Sequence, residues 1–593
     1  MSVSVSRTIS SPGSIRENGF LYLTKNQVMS KQNTRATIDA NIRQNGQQLI
    51  TGAILNSVLN TMVTDYAEQE KLTDLERKVD EIEDEITEGE FEVTNIFATP
   101  EKYGAVGDGE SDDSEAFIAA LNSGKPVYCR KVYKVKDIVI DRPTLIYGGT
   151  FVDGGSSDYT MTISSANVKL IKVSLDCQGI SNGVYFLENS HWGLLFDCEI
   201  YNAKSAQDNS IGVNIRRCHD VSIISCRIHD ISNDNAQPTR AILSNRSNRT
   251  LIENCVVYNV ISDDDGDGIQ IIFDGATDEG YDRCVIRNCD FYNCSKRSIK
   301  IQQRNTLVEG CTIIASKSTI PSTGCAIAIY DTNCIVRDNY INGLSPIQIH
   351  LVGGLLDVTE TSFENTQIVN NIIINQNSDI AASQGLITSS SISSALIKNL
   401  LISGNTFKGV KTSESGVRLY SQGGIDGVTV CNNYFDCNMG VYFDWSGSES
   451  GTVRNIDVSD NIFLVTYYGI YLRGGIFYSL SVNNNSFYPS ESFGGLFKFV
   501  NNVSARFYGY GAIKVSNTSF PRAVYLASSP YHYTKFIEFF REYGTTSEMP
   551  VFNVTGMPLY DGFHFYNTEL HKTLTYYGWS DGHWYNPDGS IFQ

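Results

Sequence analysis

The stretch LIENCVVYNVISDDDGDGIQI, residues 251–271, carries two phrases that recur out of step with each other along the middle of the chain. The first is a turn and strand anchored on Cys255. Its equivalents stand at Cys198 (FDCEI), Cys226 (ISCRI), Cys289 (IRNCDF), Cys311 (VEGCTI), Asn339 (VRDNYI), Asn371 (IVNNII), Asn405 (ISGNTF), Asn433 (VCNNYF), Asn461 (VSDNIF) and Asn485 (VNNNSF). The second is the strand GIQI at Gly268, matched by GVYF at Gly183, GVNI at Gly212, SIKI at Ser298, AIAI at Ala326, PIQI at Pro346, GVRL at Gly416, GVYF at Gly440 and GIYL at Gly469. Successive anchors are 22 to 34 residues apart, so one unit repeats about eleven times.

A unit of that length with two short alternating strands and no helical pattern between them excludes leucine-rich and helical repeats. It predicts a mainly β protein, a parallel β-helix of about 11–13 coils. In each G-I-x-I strand the apolar residues point inward and the one between them points out. At roughly 4.8 Å per coil the stack is a rod on the order of 50 Å long. The anchor is Cys in five coils and Asn in six, which fits a ladder at an inward turn. Asn amides share hydrogen bonds along such a ladder, and Cys fills the same space as a small apolar side chain. Most of the 14 cysteines are therefore expected as packed free thiols, and with no C-x-x-C pair no metal site is expected.

Lys and Arg total 46 against 65 Asp and Glu, a net charge of -19, which argues against nucleic acid as a partner. The first residues, MSVSVSRTISSPGS, contain no apolar signal core, and no stretch approaches a membrane span. The expectation is cytoplasmic synthesis without a signal peptide and no membrane insertion.

The ends differ in texture from the coils. ITGAILNSVLNTMV (50–63) reads as an apolar helix, and Leu72, Leu75, Val79, Ile82 and Ile86 follow 3-4-3-4 spacing among Glu76, Lys78, Glu81 and Glu85. Two heptads are short for an independent coiled coil, so they read as the neck of an oligomer, a homotrimer, held by further contacts. YGAVGDGESDDSEAFIAALNSGKPVY (103–128) predicts a glycine-rich turn and a helix capped by Asp112 or Asp113, with Ala116, Phe117, Ala120 and Leu121 on its apolar face. Such a helix would cover the open end of the first coil. The domain boundaries that follow are 1–95 for attachment and neck, 96–150 for the capping helix and the start of the β-helix, 151–505 for the β-helix, and 506–593 for a small C-terminal β-rich module.

Residues 103–128 closely resemble the YGAxGDGxxDDTxAIQxAL signature that opens pectate-lyase-like right-handed β-helices in phage tailspikes and polysaccharide depolymerases. The resemblance spans roughly 95–500 and implies a homotrimeric tailspike on the virion tail that binds, and often cleaves, bacterial surface polysaccharide. It also implies that Asp108, Asp112 and Asp113 are structural. NGQQLITGAILNSVLNTMV (45–63) is similar to the leading segment of tail fibres in crAss-like gut phages, which implies attachment to another virion tail protein through the N-terminus. GTTSEMP (544–550) and FYNTELHKTLTYYGWSDGHWYNPDG (565–589) are similar to a small C-terminal module of phage fibres, with departures where that module carries Arg-Pro and Asp-Ala-Thr-Gly.

The outward positions of the strand phrase name a face. In order they are Tyr185, Asn214, Leu243, Gln270, Lys300, Ala328, Gln348, Arg418, Tyr442, Tyr471 and Lys498, followed two residues on by Gln302, Tyr330, His350, Tyr420, Asp444 and Arg473. Amides, cations and aromatics together suit sugars, whose rings offer apolar C–H faces and polar hydroxyls or carboxylates. The candidate substrate-binding residues are Arg297, Gln270, Gln302, Tyr330, Gln348, His350, Arg418 and Tyr442. The acidic turn 263–267 is the candidate catalytic segment, with strand alignment placing Asp267 between Arg240 and Arg297. Its structural alternatives are an ion-pair ladder or an adventitious calcium loop. Asp264, Asp267 and Lys300 are the candidate catalytic residues: a carboxylate pair with Asp274 or Asp331 for a hydrolase, or Lys300, Arg297 or His350 as the base of a uronate lyase. These residues leave hydrolase, lyase and non-catalytic receptor-binding fibre open. No cofactor is expected, although a divalent cation is compatible with the acidic turn.

Overall fold

In the computed structural model of the chain, the description covers residues 97–488 apart from 206–207, 235–236, 274–282, 316–323, 344–346, 353–361, 376–384, 390–395, 410–413, 422, 445–451, 474–475 and 478, and beyond 488 it covers chiefly short strands. The expected neck at Leu72–Ile86 lies outside the described residues.

Helix α1 (Ser114–Asn122) forms where expected, with a division of labour among its aspartates. Asp112 Oδ1 accepts the Ser114 N–H at 3.0 Å, capping the first turn. Asp113 instead accepts the N–H groups of Val106 (2.7 Å) and Gly107 (3.0 Å), tying the glycine turn to the helix. Phe117, fully buried, meets the Phe151 ring edge-on at 4.9 Å, so the helix closes the apolar interior of the first coils.

The chain then winds as a parallel solenoid whose three stacked sheets include two of 15 strands, about 11 of its coils carrying the repeated phrases and each coil having three strands, one more than the phrases reveal. A strand such as Leu251–Glu253 runs into a two-residue corner, then Val256–Ile261, then Gly266–Ile272. The turn phrase of the sequence is thus a strand, a corner and a second strand run together. We call the stack before the corner the lead sheet, the stack after it the anchor sheet, and the stack of G-I-x-I strands the face sheet. All three pair in parallel register, as in Val184↔Val213 and Val213↔Ile242. Parallel pairing continues past residue 505 to Ile537–Phe539, and five short strands from Tyr543 to Phe592 form a separate, mostly antiparallel sheet.

The two-residue corner explains the repeat. The residue before each anchor is left-handed: Asp197, Ser225, Asn254, Asn288, Gly310, Asp338, Asn370, Gly404, Asn432, Asp460 and Asn484 have φ between 51° and 69°. Asn, Asp and Gly tolerate that region best, which is why they dominate this position. The anchor then turns inward. Asn339, Asn371, Asn405, Asn433 and Asn461 each donate from Nδ2 to Oδ1 of the next, at 2.9–3.0 Å, with Asn485 last. The thiols of Cys198, Cys226, Cys255, Cys289 and Cys311 occupy the same corner and all 14 cysteines are free, as the sequence implied.

Inside, Phe407, Phe435, Phe463 and Phe487 stack at 4.8, 4.8 and 4.5 Å, each pair adding about 0.5–1.5 kcal/mol beyond burial. The glycine that opens the face-sheet phrase makes room for these rings: a Cβ at Gly440 would overlap the Phe463 ring. By contrast with the invariant corner, the other two connections vary in length. Lys296 and its predecessor alone join Cys294 to Arg297, whereas residues 376–384 join Asn375 to Gly385.

Candidate functional site

The face sheet sets one continuous outward row: Tyr185, Asn214, Leu243, Gln270, Lys300, Ala328, His350, Thr388, Arg418, Tyr442 and Tyr471 are register partners in turn. Two corrections follow. His350, not Gln348, occupies the row, because the strand is Ile349–Leu351. Gln348 is fully buried, and a Cβ at Gly343 would strike its amide, so it does not present a surface to ligand. Thr388 belongs to a coil, Gly385–Ser389, that does not carry the G-I-x-I phrase. The row is also less open than alternation implies, with Gln270, Lys300, His350 and Tyr442 all buried.

The register places Arg240, Asp267 and Arg297 side by side on three coils, as the alignment indicated. Their contacts are asymmetric. Arg297 Nε donates to Asp267 Oδ1 at 2.8 Å and its Nη2 to Asp265 Oδ1 at 2.6 Å, so one guanidinium joins a strand carboxylate and one in the turn just before it. Lys300 Nζ donates to Asp265 Oδ2 at 2.9 Å and lies 3.7 Å from Asp267 Oδ2, while Lys296 also pairs with Asp265. Arg240 donates through Nε to Gln270 Oε1, whose own Nε2 donates to Gln302 Oε1 at 2.5 Å, while Asp267 is the strongest opposite charge acting on Arg240. Tyr330 accepts Arg297 Nη1 at 3.1 Å, and the Lys300 ammonium stands 5.9 Å from its ring centroid.

Asp265, rather than Asp264, is the carboxylate that matters here. Asp265 lies in the turn just before the strand Gly266–Ile272 and is half-buried, whereas Asp264 is exposed, its backbone N–H bonded to Ser262 Oγ at 3.0 Å. Neither Asp265, in that turn, nor Lys296, in the short connection, falls on a strand period that singles it out. Burial raises the Asp265 carboxyl, but the charges of Arg297 and Lys300 outweigh it and hold the group well below the usual carboxylate range. Burial pulls Lys300 below its ordinary value, with Arg297 adding to the effect and Asp267 opposing it. Burial, helped by the Arg297 charge, drops His350 to about 4, so its imidazole is neutral near pH 7.

Asp331 does not complete a hydrolytic pair with Asp267. Asp267 registers with Arg297 and Arg297 with Cys325, so Asp331 lies six residues down the coil, roughly 20 Å away at strand rise. Asp274 lies outside the described residues.

Farther along the row, Arg418 Nη2 donates to Asp444 Oδ2 at 2.6 Å and its guanidinium lies 5.7 Å from the Tyr442 centroid. Tyr442 stacks on Tyr471 at 4.6 Å. Four coil steps, roughly 19 Å, separate Lys300 from Arg418.

Residues 256–455 match the family described as protein of unknown function DUF1565. No curated protein is similar to the chain at a significant level. Among solved structures it is similar to PfbA, a surface adhesin of Streptococcus pneumoniae, at 15% identity and TM-score 0.43, over 67% of this chain and 93% of that one. It is similar to the tailspike protein of E. coli bacteriophage HK620, solved with a pentasaccharide, at 13% identity and TM-score 0.38, over 73% and 72%. An alginate lyase from a Paenibacillus species matches at 13% identity and TM-score 0.33, over 52% and 95%.

Proposed function

We propose that this chain is a tailspike-type fibre whose face sheet recognises a bacterial surface polysaccharide. The observation that carries the reading is the outward row itself. A buried amide relay, Gln270 to Gln302, is followed along the coils by two cation–aromatic pairs, Lys300 with Tyr330 and, farther on, Arg418 with Tyr442. Amides orient hydroxyls and the aromatic pairs offer apolar edges, the combination that a sugar chain needs along several successive residues. The resemblance of residues 103–128 and of both flanks to phage tail proteins supports placement on a virion tail. The heptads at 72–86 support a homotrimer, and the N-terminal flank supports a second tail protein as its anchor.

Recognition is favoured over hydrolysis by the same geometry. Asp265 and Asp267 are both engaged by cations, and a carboxylate so engaged is a poor proton donor for a glycosidic oxygen. The test is retention of the full-length protein on immobilised capsular and lipopolysaccharide glycans from candidate hosts, with products assayed for new reducing ends and for unsaturated uronates. Saturable retention without product supports a recognition fibre. Product formation replaces recognition by cleavage, and no retention on any bacterial glycan refutes the reading.

A further inference from the structure

Three sheets make each coil triangular in section, with the face sheet opposite the two-residue corner between the lead and anchor sheets. Connections of varying length enter and leave the face strand, whereas the corner keeps its length and its left-handed residue from Asp197 to Asn484. The corner side is therefore where a second rod can lie flush against this one, with no insertion between them.

Directly after the corner, the first outward residue of each anchor strand forms a row. In the upper coils that row carries Glu199, Arg227 and Asp290. From Thr312 to Ser486 it runs in register through Tyr340, Ile372, Thr406, Tyr434 and Ile462 and holds no charge. Six coil steps at about 4.8 Å make this track roughly 29 Å long. Its surroundings are charged: Glu309 pairs with Arg337 on the lead sheet, and Lys408 registers with Asp436 two residues along the anchor strands. Tyr340, Ile372 and Ile462 are 38%, 44% and 41% exposed, so the track is an apolar stripe open to contact.

Symmetry identifies the occupant. Parallel copies arranged about an axis along the rod bring each axial residue against its own counterpart, so any charge on that line would meet a like charge. A row without charge satisfies this condition, and an identical rod keeps the same coil spacing over the whole track, setting Tyr against Tyr and Ile against Ile at every step.

We infer that copies of this chain pack side by side and parallel along this row, with Tyr340, Ile372, Tyr434 and Ile462 at the centre of the contact and the face sheets turned away from it. The inference rests on the oligomer proposed above and locates its interface. Each copy then presents its own outward row to a ligand, unobstructed by its neighbours.

The experiment uses the full-length protein with single cysteines introduced as Ile372→Cys, Ile462→Cys and, on the face sheet, Val139→Cys. Wild type, whose cysteines are buried apart from the half-buried Cys431, supplies the background. With a short bismaleimide, Ile372→Cys and Ile462→Cys form covalent dimers on denaturing gels and Val139→Cys stays at background. In a fourth variant, Ile372→Lys, like charges meet at the axis and the dissociation constant of the oligomer rises at least about 10-fold by sedimentation. Ile372 is exposed on the single coil, so the far-ultraviolet circular dichroism of that variant remains that of wild type. An intact wild-type oligomer with no cross-link at 372 and 462, a cross-link at 139 alone, or an unchanged mass in Ile372→Lys overturns this interface and leaves the oligomer standing. A wild-type monomer at micromolar concentration overturns both.

Discussion

Replacing Asp267 by Asn tests whether the cluster is held by charge balance. The change preserves volume, so it opens no cavity, and Asp267 is fully buried, so solvent cannot step in. The carboxylate accepts Arg297 Nε at 2.8 Å and lies 3.7 Å from the Lys300 ammonium, with Arg240 on the opposite neighbouring coil. Removing it leaves Asp265 as the carboxylate that Arg297 and Lys300 contact. Taking one partner from a buried pair costs about 3–5 kcal/mol, so opening of these coils should become about 10²- to 10⁴-fold more frequent. Hydrogen exchange of the Ile269 and Ile299 amides, on the strands that Asp267 joins, reads this directly. Adding Arg297→Gln to Asp267→Asn should restore part of the loss, by more than about 1 kcal/mol in a double-mutant cycle. Exchange accelerated less than about fivefold, or additive losses in the double variant, would refute the reasoning, because Asp267 would then not be balancing the buried cations.

Three further outcomes follow from the fold. Asn405→Ala removes the acceptor of the Asn371 backbone N–H (2.9 Å) and the donor to Ile368 O (2.9 Å), and should cost about 2–4 kcal/mol by chemical denaturation, whereas Asn405→Cys, the residue of the upper coils, should cost less; equal losses would contradict the ladder. Gly440→Ala places a methyl against the Phe463 ring and should lower the melting temperature at a cost of about 1–3 kcal/mol, while an unchanged melt would show that the ring has room to move. His350 is depressed from 6.5 to about 4, so the unfolded chain takes its proton first and stability falls with pH across that window, by up to ~3 kcal/mol. His350→Asn should flatten the melting curves between about pH 7 and about pH 4.5, and an unaltered pH dependence in that variant would refute the assignment.

Much of the architecture is readable in the sequence because the corner before each anchor demands a left-handed residue and the anchor itself stacks on its own kind. Asp, Asn or Gly followed by Cys or Asn is a signal of conformation, so it survives changes in loop length. Register was readable only where one alternation stood alone. Around residue 348, Ile347, Ile349 and Leu351 all fit a two-residue period, and shifting by two keeps the apolar face inward, so pattern alone could not choose Ile349–Leu351. The coil at 385–389 departs from the phrase because Leu386 stands where others open on Gly and Ser389 stands where the others carry a second apolar residue. Asp267 and Arg297 were brought together by counting along strands, whereas Lys296 lies in a connection that no periodicity reaches. The burial of the outward row is a lateral effect of neighbouring side chains, which no single strand encodes.

The constant two-residue corner and the two variable connections divide the coil into a spine and a margin. The connections of variable length lead into and out of the face sheet, so both of its edges are bordered by segments that the Asn and Cys ladder does not constrain. Lengthening or exchanging such a segment leaves the stacking of anchors, left-handed corners and Phe rings untouched. Changes in these segments alter what borders the face sheet while the packing of the rod that carries it stays the same.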